Sequence, residues 1–352
     1  MVTYYADAVA LLKKLIATPS MSREESNTAD IIEQYLISKG QKPFRKGNNI
    51  MVTDIISDTL PTLLLNSHHD TVKPSSSWTI DPYLPIEKEE KLYGLGSNDA
   101  GASLVSIMQV FLHYYGKSDR KYNLIFAASA EEEVGGNGGI ESLKPELGKI
   151  DLAIVGEPTQ MQMAIAEKGL MVVDGKAHGK VGHSARNEGI NAIYKALPDM
   201  EWFRTFKFPK ESDILGPVKM TITQINAGYQ HNMVPDLCSF VVDVRTNEHY
   251  SNEQAFEIIR QHMQNTEVTT RSTRLNSSRI PLDHPLVKRG IGMGLTYYGS
   301  PTTSDQAIIR TTSMKIGPGD SARSHSADEF VYLEEIKKGI EVYIQLLDGL
   351  EF

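Results

Sequence analysis

Apolar residues recur along this chain in two rhythms. At helical spacing, Leu11, Leu12, Leu15 and Ile16 group on one face of residues 4–17, and Thr18-Pro19-Ser20 ends the segment. Ser22 followed three residues later by Glu25 is a capping-box signature. It predicts a second helix that stops at Gly40 and turns Ile31, Ile32, Tyr35 and Leu36 inward. Two more helix patterns cover about 100–115 and 333–347. The other rhythm is a series of short apolar runs, each closed by polar residues. Thr62-Leu63-Leu64-Leu65-Asn66 ends at His68-His69-Asp70, and Asn123-Leu124-Ile125-Phe126-Ala127 ends at Glu131-Glu132-Glu133. Leu152-Ala153-Ile154-Val155 ends at Gly156-Glu157-Pro158, and Ser313-Met314-Lys315-Ile316 ends at Gly317-Pro318-Gly319, with His325 beyond.

Strands alternating with helices predict an α/β layer structure with a mostly parallel twisted sheet flanked by helices. The middle of the chain reads differently. Strand-like stretches at 165–178, 217–227, 237–245 and 266–276 are separated by helix patterns at 188–205 and 251–264. That order is the split-βαβ, ferredoxin-like arrangement of a small α+β domain. The predicted organisation is therefore 1–162, an inserted domain at 163–280, and 281–352 completing the first domain.

A length of 352 residues suits two or three domains. Apolar content of 40% and charged content of 23% exclude wholesale disorder. A net charge of −8 argues against a general nucleic-acid binder, which needs a basic face. The single cysteine, Cys238, excludes a disulfide framework and any CxxC zinc or redox motif. Lying in Leu237-Cys238-Ser239-Phe240-Val241-Val242, it reads as a small buried hydrophobe. Val9 to Leu12 is too short for an export-signal core, and no run reaches the ~20 apolar residues of a membrane span. A soluble cytoplasmic protein is the expectation.

The polar residues at the strand ends carry the chemistry. In open α/β sheets ligands bind outside the carboxyl ends of the strands. Those ends present His68 and Asp70, then Glu131 to Glu133, Glu157 and His325, and Asp99 joins them from the turn Gly94-Leu95-Gly96-Ser97-Asn98-Asp99. Imidazole and carboxylate without thiolate suit a catalytic divalent metal rather than a structural zinc cluster. Asp99, Glu133 and Glu157 bring three negative charges toward the four positive ones of a metal pair, which polarises a carbonyl and supplies a nucleophile at neutral pH. His69 reads as structural and His113 as surface or core. The run Gly135-Gly136-Asn137-Gly138-Gly139 lacks the phosphate-cradle pattern and reads as a turn into a helix, Gly94-Leu95-Gly96 lacks a third glycine, and neither GxSxG nor HExxH occurs.

This set resembles the co-catalytic zinc aminoacylase and carboxypeptidase family, which includes acetylornithine deacetylase, succinyl-diaminopimelate desuccinylase and glutamate carboxypeptidase. The matches span almost the whole chain in the family's order. Ser67-His68-His69-Asp70-Thr71-Val72 is similar to its His-x-Asp motif, Asp99 to its bridging aspartate, and Glu131-Glu132-Glu133-Val134-Gly135 to its Asp-Glu-Glu run. A third glutamate leaves that register open by one position. Gly156-Glu157-Pro158 and the His325 segment Ser324-His325-Ser326-Ala327-Asp328-Glu329-Phe330 match further ligand motifs, and the residues after Asp99 depart from the family in lacking its common lysine.

The resemblance implies a zinc-exopeptidase-like fold and two divalent ions, most readily Zn²⁺, with Co²⁺ or Mn²⁺ as alternatives. One would take His68, Asp99 and Glu157, the other Asp99, Glu133 and His325, with Asp70 orienting His68 and Glu132 as general base. The inserted domain would be a lid and dimerisation domain. By the same resemblance Gly182-His183-Ser184-Ala185 supplies a histidine that polarises the substrate carbonyl from the partner subunit. Asn232 and Arg245 hold substrate, and Gly317 and Gly319 bind carboxylate through backbone N–H groups. The expected enzyme is a metal-dependent amidohydrolase acting on an N-acyl amino acid, acetyl or succinyl, in the biosynthesis of arginine or lysine. It would be a cytoplasmic homodimer needing neither nucleic acid nor membrane. Rival readings are a di- or tripeptidase or aminopeptidase of the same family, and an inactive binding homologue.

Overall fold

The apolar runs become neighbours in a nine-stranded sheet. Asn123–Ser129, Thr62–His68, Leu152–Val155 and Ser313–Lys315 lie side by side and parallel at its centre. Phe44–Lys46 and Asn49–Asp54 extend it antiparallel on one side, and Met163–Glu167 does so on the other. The computed structural model describes residues 2–352. The central strands are buried on both faces, which explains why they read as unbroken apolar runs rather than alternating ones. Helix Ala102–Tyr114 packs on Thr62–His68 and is itself covered by Val2–Ile16 and Leu333–Leu347. Burying each of Leu63, Leu64 and Leu65 completely contributes roughly 1.5–3 kcal/mol before conformational entropy is counted.

The chain falls into two compact units. The larger runs up to Ile165 and includes Arg279–Tyr298 and Ser304–Phe352; the smaller is Ala166–Ser278 with Gly299–Thr303. In the smaller unit four antiparallel strands take the order Lys219–Ala227, Leu237–Arg245, Met171–His178, Thr266–Thr270, with helices Ala192–Thr205 and Asn252–His262. Its core includes Val173, Ala196, Phe203, Cys238, Phe240 and Ile259. Asn191 caps the first of these helices and a Ser251–Gln254 capping box starts the second.

The structure corrects three local expectations. The second helix is Ser26–Ser38, with Glu25 at its N-cap and no side-chain cap. Ser22 and Glu25 are not a capping box because each has a tertiary partner. Ser22 Oγ donates to Asp70 Oδ2 at 2.7 Å, and the buried Glu25 carboxylate accepts from Asn48 and the Glu131 N–H. The strand expected at 165–178 is two strands, Met163–Glu167 and Met171–His178, and the one expected at 266–276 ends at Thr270. Among the described residues no helix is long and apolar enough to cross a membrane.

Candidate active site

His68 is the last residue of its strand and is fully buried there. Its Nδ1 lies 3.0 Å from the Asp70 carbonyl oxygen and 3.4 Å from Asp70 Oδ1. Nδ1–H donates into that pair of acceptors, so Nε2 is the atom presented to the site. Nε2 is buried, makes no hydrogen bond among the described residues, and faces Asp99 Oδ1 at 3.3 Å, Glu157 Oε1 at 3.7 Å and Glu132 Oε2 at 4.0 Å.

Asp99 comes from the turn that precedes helix Ala102–Tyr114. Gly96 gives that turn a left-handed residue at φ 75°, and the Asp99–Ala100 peptide is cis. The aspartate's other oxygen, Oδ2, lies 3.7 Å from His325 Nε2, and the same imidazole nitrogen is 2.9 Å from Glu133 Oε2. Asp99 therefore stands between the two histidines with one oxygen toward each.

The turn after strand Asn123–Ser129 aims the glutamates. Asp70 accepts from the N–H of Glu132 at 3.0 Å and of Glu133 at 3.1 Å, so the residue beside His68 also holds these two. Glu131 points elsewhere. Its carboxylate accepts from Gly138 N–H, and a side chain at Gly136 or Gly138 would collide with it. The glycine run turns around Glu131 and leads into helix Ile140–Leu147. His69 is tied to Thr28 Oγ1 and the Asn48 carbonyl oxygen, away from the cluster.

The electrostatics follow from burial beside like charges. Burial opposes the charged form of His68, but Asp70 and Asp99, with Glu132 and Glu157, hold its pKa well above the ordinary value. Burial raises Glu132 far above the carboxylate range, and nearby Glu157, Asp305 and Glu133 add to it against the opposing His68. Burial pushes Glu157 to about 8. The hydrogen bond to Glu133 lifts His325 to about 9. Such a site favours protons or other cations. Ligand atoms of His68, Asp99 and Glu133, and those of His68, Glu132 and Glu157, each lie within 4.8 Å of one another. A buried imidazole nitrogen with no hydrogen bond, ringed by carboxylate oxygens, fits a divalent metal and has no thiolate to make it structural.

Two carboxylates here escape sequence reasoning. Asp305 is buried, accepts from Ser129 Oγ at 2.6 Å, and is pushed up to about 6 by burial. With the Asn66 amide oriented to donate, its nitrogen is 3.1 Å from Asp305 Oδ2. Asp305 lies in the loop Pro301-Thr302-Thr303-Ser304-Asp305, which has no apolar run to mark it as a strand end. Glu329 is buried four residues after His325 and accepts from the backbone of the Asp99 turn.

The remaining expected residues lie in other surroundings. Gly317 N–H donates to Thr159 Oγ1 at 3.0 Å and Pro318 has no N–H, so within that loop only Gly319 is left to offer a donor. In the smaller unit the exposed His183 sits in a short ladder, Gly182 opposite Val234 and His183 opposite Met233, with Asn232 adjoining. Ala185 N–H donates to His183 Nδ1, so Nε2 carries the proton. Arg245 ends strand Leu237–Arg245 with Nε and Nη2 forked onto Asp243 at 2.8 and 3.0 Å.

The sequence profile of peptidase family M20/M25/M40 matches residues 64–349. Acetylornithine deacetylase of Proteus mirabilis is 26% identical over 97% of this chain and 96% of its own length. Succinyl-diaminopimelate desuccinylase of Pelagibacter ubique is 26% identical over 96% and 97%. Among solved structures, a tripeptidase from Staphylococcus aureus superposes with a TM-score of 0.77 at 20% identity, covering 97% of both chains, which establishes a common fold. With most of its length inside the profile and a His/Asp/Glu cluster suited to metal, the chain belongs to peptidase family M20/M25/M40 and is a metallohydrolase of that family.

Proposed function

We propose that the enzyme hydrolyses the amide bond of an N-acyl amino acid, with an acetyl or succinyl acyl group, in cytoplasmic amino-acid biosynthesis. The observation that carries this reading is Asp99, one oxygen toward His68 and the other toward His325, with Glu132 beside them. The full-length likeness to a deacetylase and a desuccinylase supports the choice of substrate class. We assign His68, Asp99 and Glu157 to one metal position and Asp99, Glu133 and His325 to the other. Two divalent ions held there, Zn²⁺, Co²⁺ or Mn²⁺, would supply Lewis acidity at the scissile carbonyl and lower the pKa of bound water.

The protein's own groups do the rest. Glu132 takes the proton of the attacking water and passes it to the leaving amine. Asp70 holds His68 by its Nδ1 side and the glutamate turn by its N–H groups. His183 of one subunit, through Nε2–H, donates to the oxyanion in the other subunit's site, with Asn232 beside it to contact substrate. Arg245 and the Gly319 N–H bind the α-carboxylate. Gly317 supports that loop through Thr159. We assign the smaller unit, Ala166–Ser278 with Gly299–Thr303, the role of lid and dimerisation domain, within the insertion expected at 163–280. Strand Lys219–Ala227 is an edge of its sheet with Ile225 58% exposed, an edge suited to pairing with a second copy.

A panel of N-acetyl and N-succinyl amino acids, set against di- and tripeptides, tests the substrate class. The reading expects kcat/KM for at least one acyl amino acid to exceed that for every peptide; faster turnover of a peptide would replace it with a peptidase. Arg245→Ala should raise KM about 10–100-fold, the size of a charged hydrogen bond, while changing kcat less. An effect on kcat alone would remove Arg245 from carboxylate binding.

A further inference from the structure

We propose that Glu329 is the positioning residue for Asp99 and, through it, sets the spacing between the two groups of metal ligands. The assignment rests on the reading of Asp99 as a ligand shared by both positions.

Glu329 is 2% exposed. Its Oε1 accepts from the N–H of Asn98 at 2.8 Å and of Asp99 at 2.9 Å, and its Oε2 from Gly96 N–H at 3.2 Å. Its own carbonyl oxygen accepts from Gly94 N–H at 3.0 Å. One residue therefore takes four peptide N–H groups from the turn that delivers Asp99. Converging N–H groups of this kind form a concave anion seat. The left-handed Gly96 is what lets the turn close around the carboxylate.

His325 rides on the same loop as Glu329. A second tie joins loop to turn, because Asn98 Oδ1 accepts from Asp320 N–H at 2.8 Å and Asn98 Nδ2 donates to the Asp320 carbonyl oxygen at 3.1 Å. Turn and loop are thus fixed to each other, and the distance from Asp99 to His325 is fixed with them. Only a carboxylate satisfies this seat. Three N–H donors need lone pairs on both side-chain oxygens, whereas an amide has one accepting oxygen and would turn its NH₂ toward Gly96 N–H. Burying an anion beside Asp99 is costly unless a positive charge offsets it. Metal ions held by Asp99 would provide that charge.

Glu329→Gln in the full-length protein tests the assignment. Metal-free protein is titrated with Co²⁺ by calorimetry and its visible absorption spectrum is recorded. Both equivalents should weaken about 10–100-fold, the usual cost of removing a group that orients a ligand, and the Co²⁺ spectrum should change. Asp328→Asn is the control. That neighbouring carboxylate accepts from Thr79 N–H and Oγ1, a segment that carries no site residue, so its loss should leave affinity and spectrum unaltered. If Glu329→Gln does not fold, Glu329→Asp keeps the charge and shortens the reach by one methylene, and the same changes are expected. A variant that loses only thermal stability, binding both equivalents with wild-type affinity and spectrum, would overturn the proposal. Wild-type protein that binds no Co²⁺ would instead defeat the two-metal reading beneath it.

Discussion

Stripping metal from the protein should abolish amide hydrolysis, and adding back Zn²⁺, Co²⁺ or Mn²⁺ should restore it. The same step should lower the melting temperature, and by more at pH 8 than at pH 6. The sign follows from the metal-free site. Burial, with Asp99 adding its charge against the easing field of His68, takes Glu157 from 4.5 to about 8. The hydrogen bond to Glu133, working against burial, takes His325 from 6.5 to about 9. In both cases the native state keeps a proton that the unfolded chain has released. Stability contributed by these protons is complete below the unfolded values and is lost as pH rises through the folded ones. Between about pH 5 and pH 9 the metal-free protein therefore weakens with rising pH. Metal displaces those protons, so its affinity climbs across the same window and protons are released on binding. A metal-free form whose melting temperature does not change between pH 6 and pH 8 would show that the cluster does not hold these protons.

Exchanging single oxygens should separate the two glutamates. Glu132→Gln keeps shape but removes the base, so kcat should fall roughly 10²–10⁴-fold with metal still bound. Glu133→Gln removes a charged ligand and should lower metal content first, with activity recovering in part at high metal concentration. The geometry behind this contrast is local. Glu133 touches His325, Glu132 faces His68, and Glu131 is folded into the glycine turn. Metal analysis of purified variants beside steady-state kinetics decides it, and the opposite pairing of phenotypes would move the base to Glu133.

The strand-end residues are legible in the sequence because parallel strands buried on both faces leave unbroken apolar runs. His68, Glu132 and Glu157 follow within a few residues of where those runs stop. The ferredoxin-like order of the smaller unit is legible for a related reason, since its strands and helices keep separate periods. What escapes are groups whose role lies in contacts distant along the chain. Ser22 and Glu25 have the spacing of a cap, yet their partners are Asp70, Asn48 and Glu131. Asp305 reaches Ser129 from 176 positions away. Glu329 stands in the quoted His325 motif, but only folding shows that its carboxylate seats the Asp99 turn. Gly317 has the composition of an anion-binding loop, and the Thr159 hydroxyl claims its N–H.

Strand Ser313–Lys315 is inserted between Leu152–Val155 and Met163–Glu167, near the middle of the sheet although it comes late in the chain. A ribosome making this protein must release more than 300 residues before that slot can be filled. Until then two strands of the growing polypeptide have open edges, which recruit other chains as readily as the missing strand. Closing contacts over such a separation is slow, because loop entropy is lost before any pairing compensates for it. His325 lies later still, so the full set of proposed metal ligands exists only after that strand has been made. The unfilled slot between these two strands is thus where the nascent sheet is most exposed to wrong pairing.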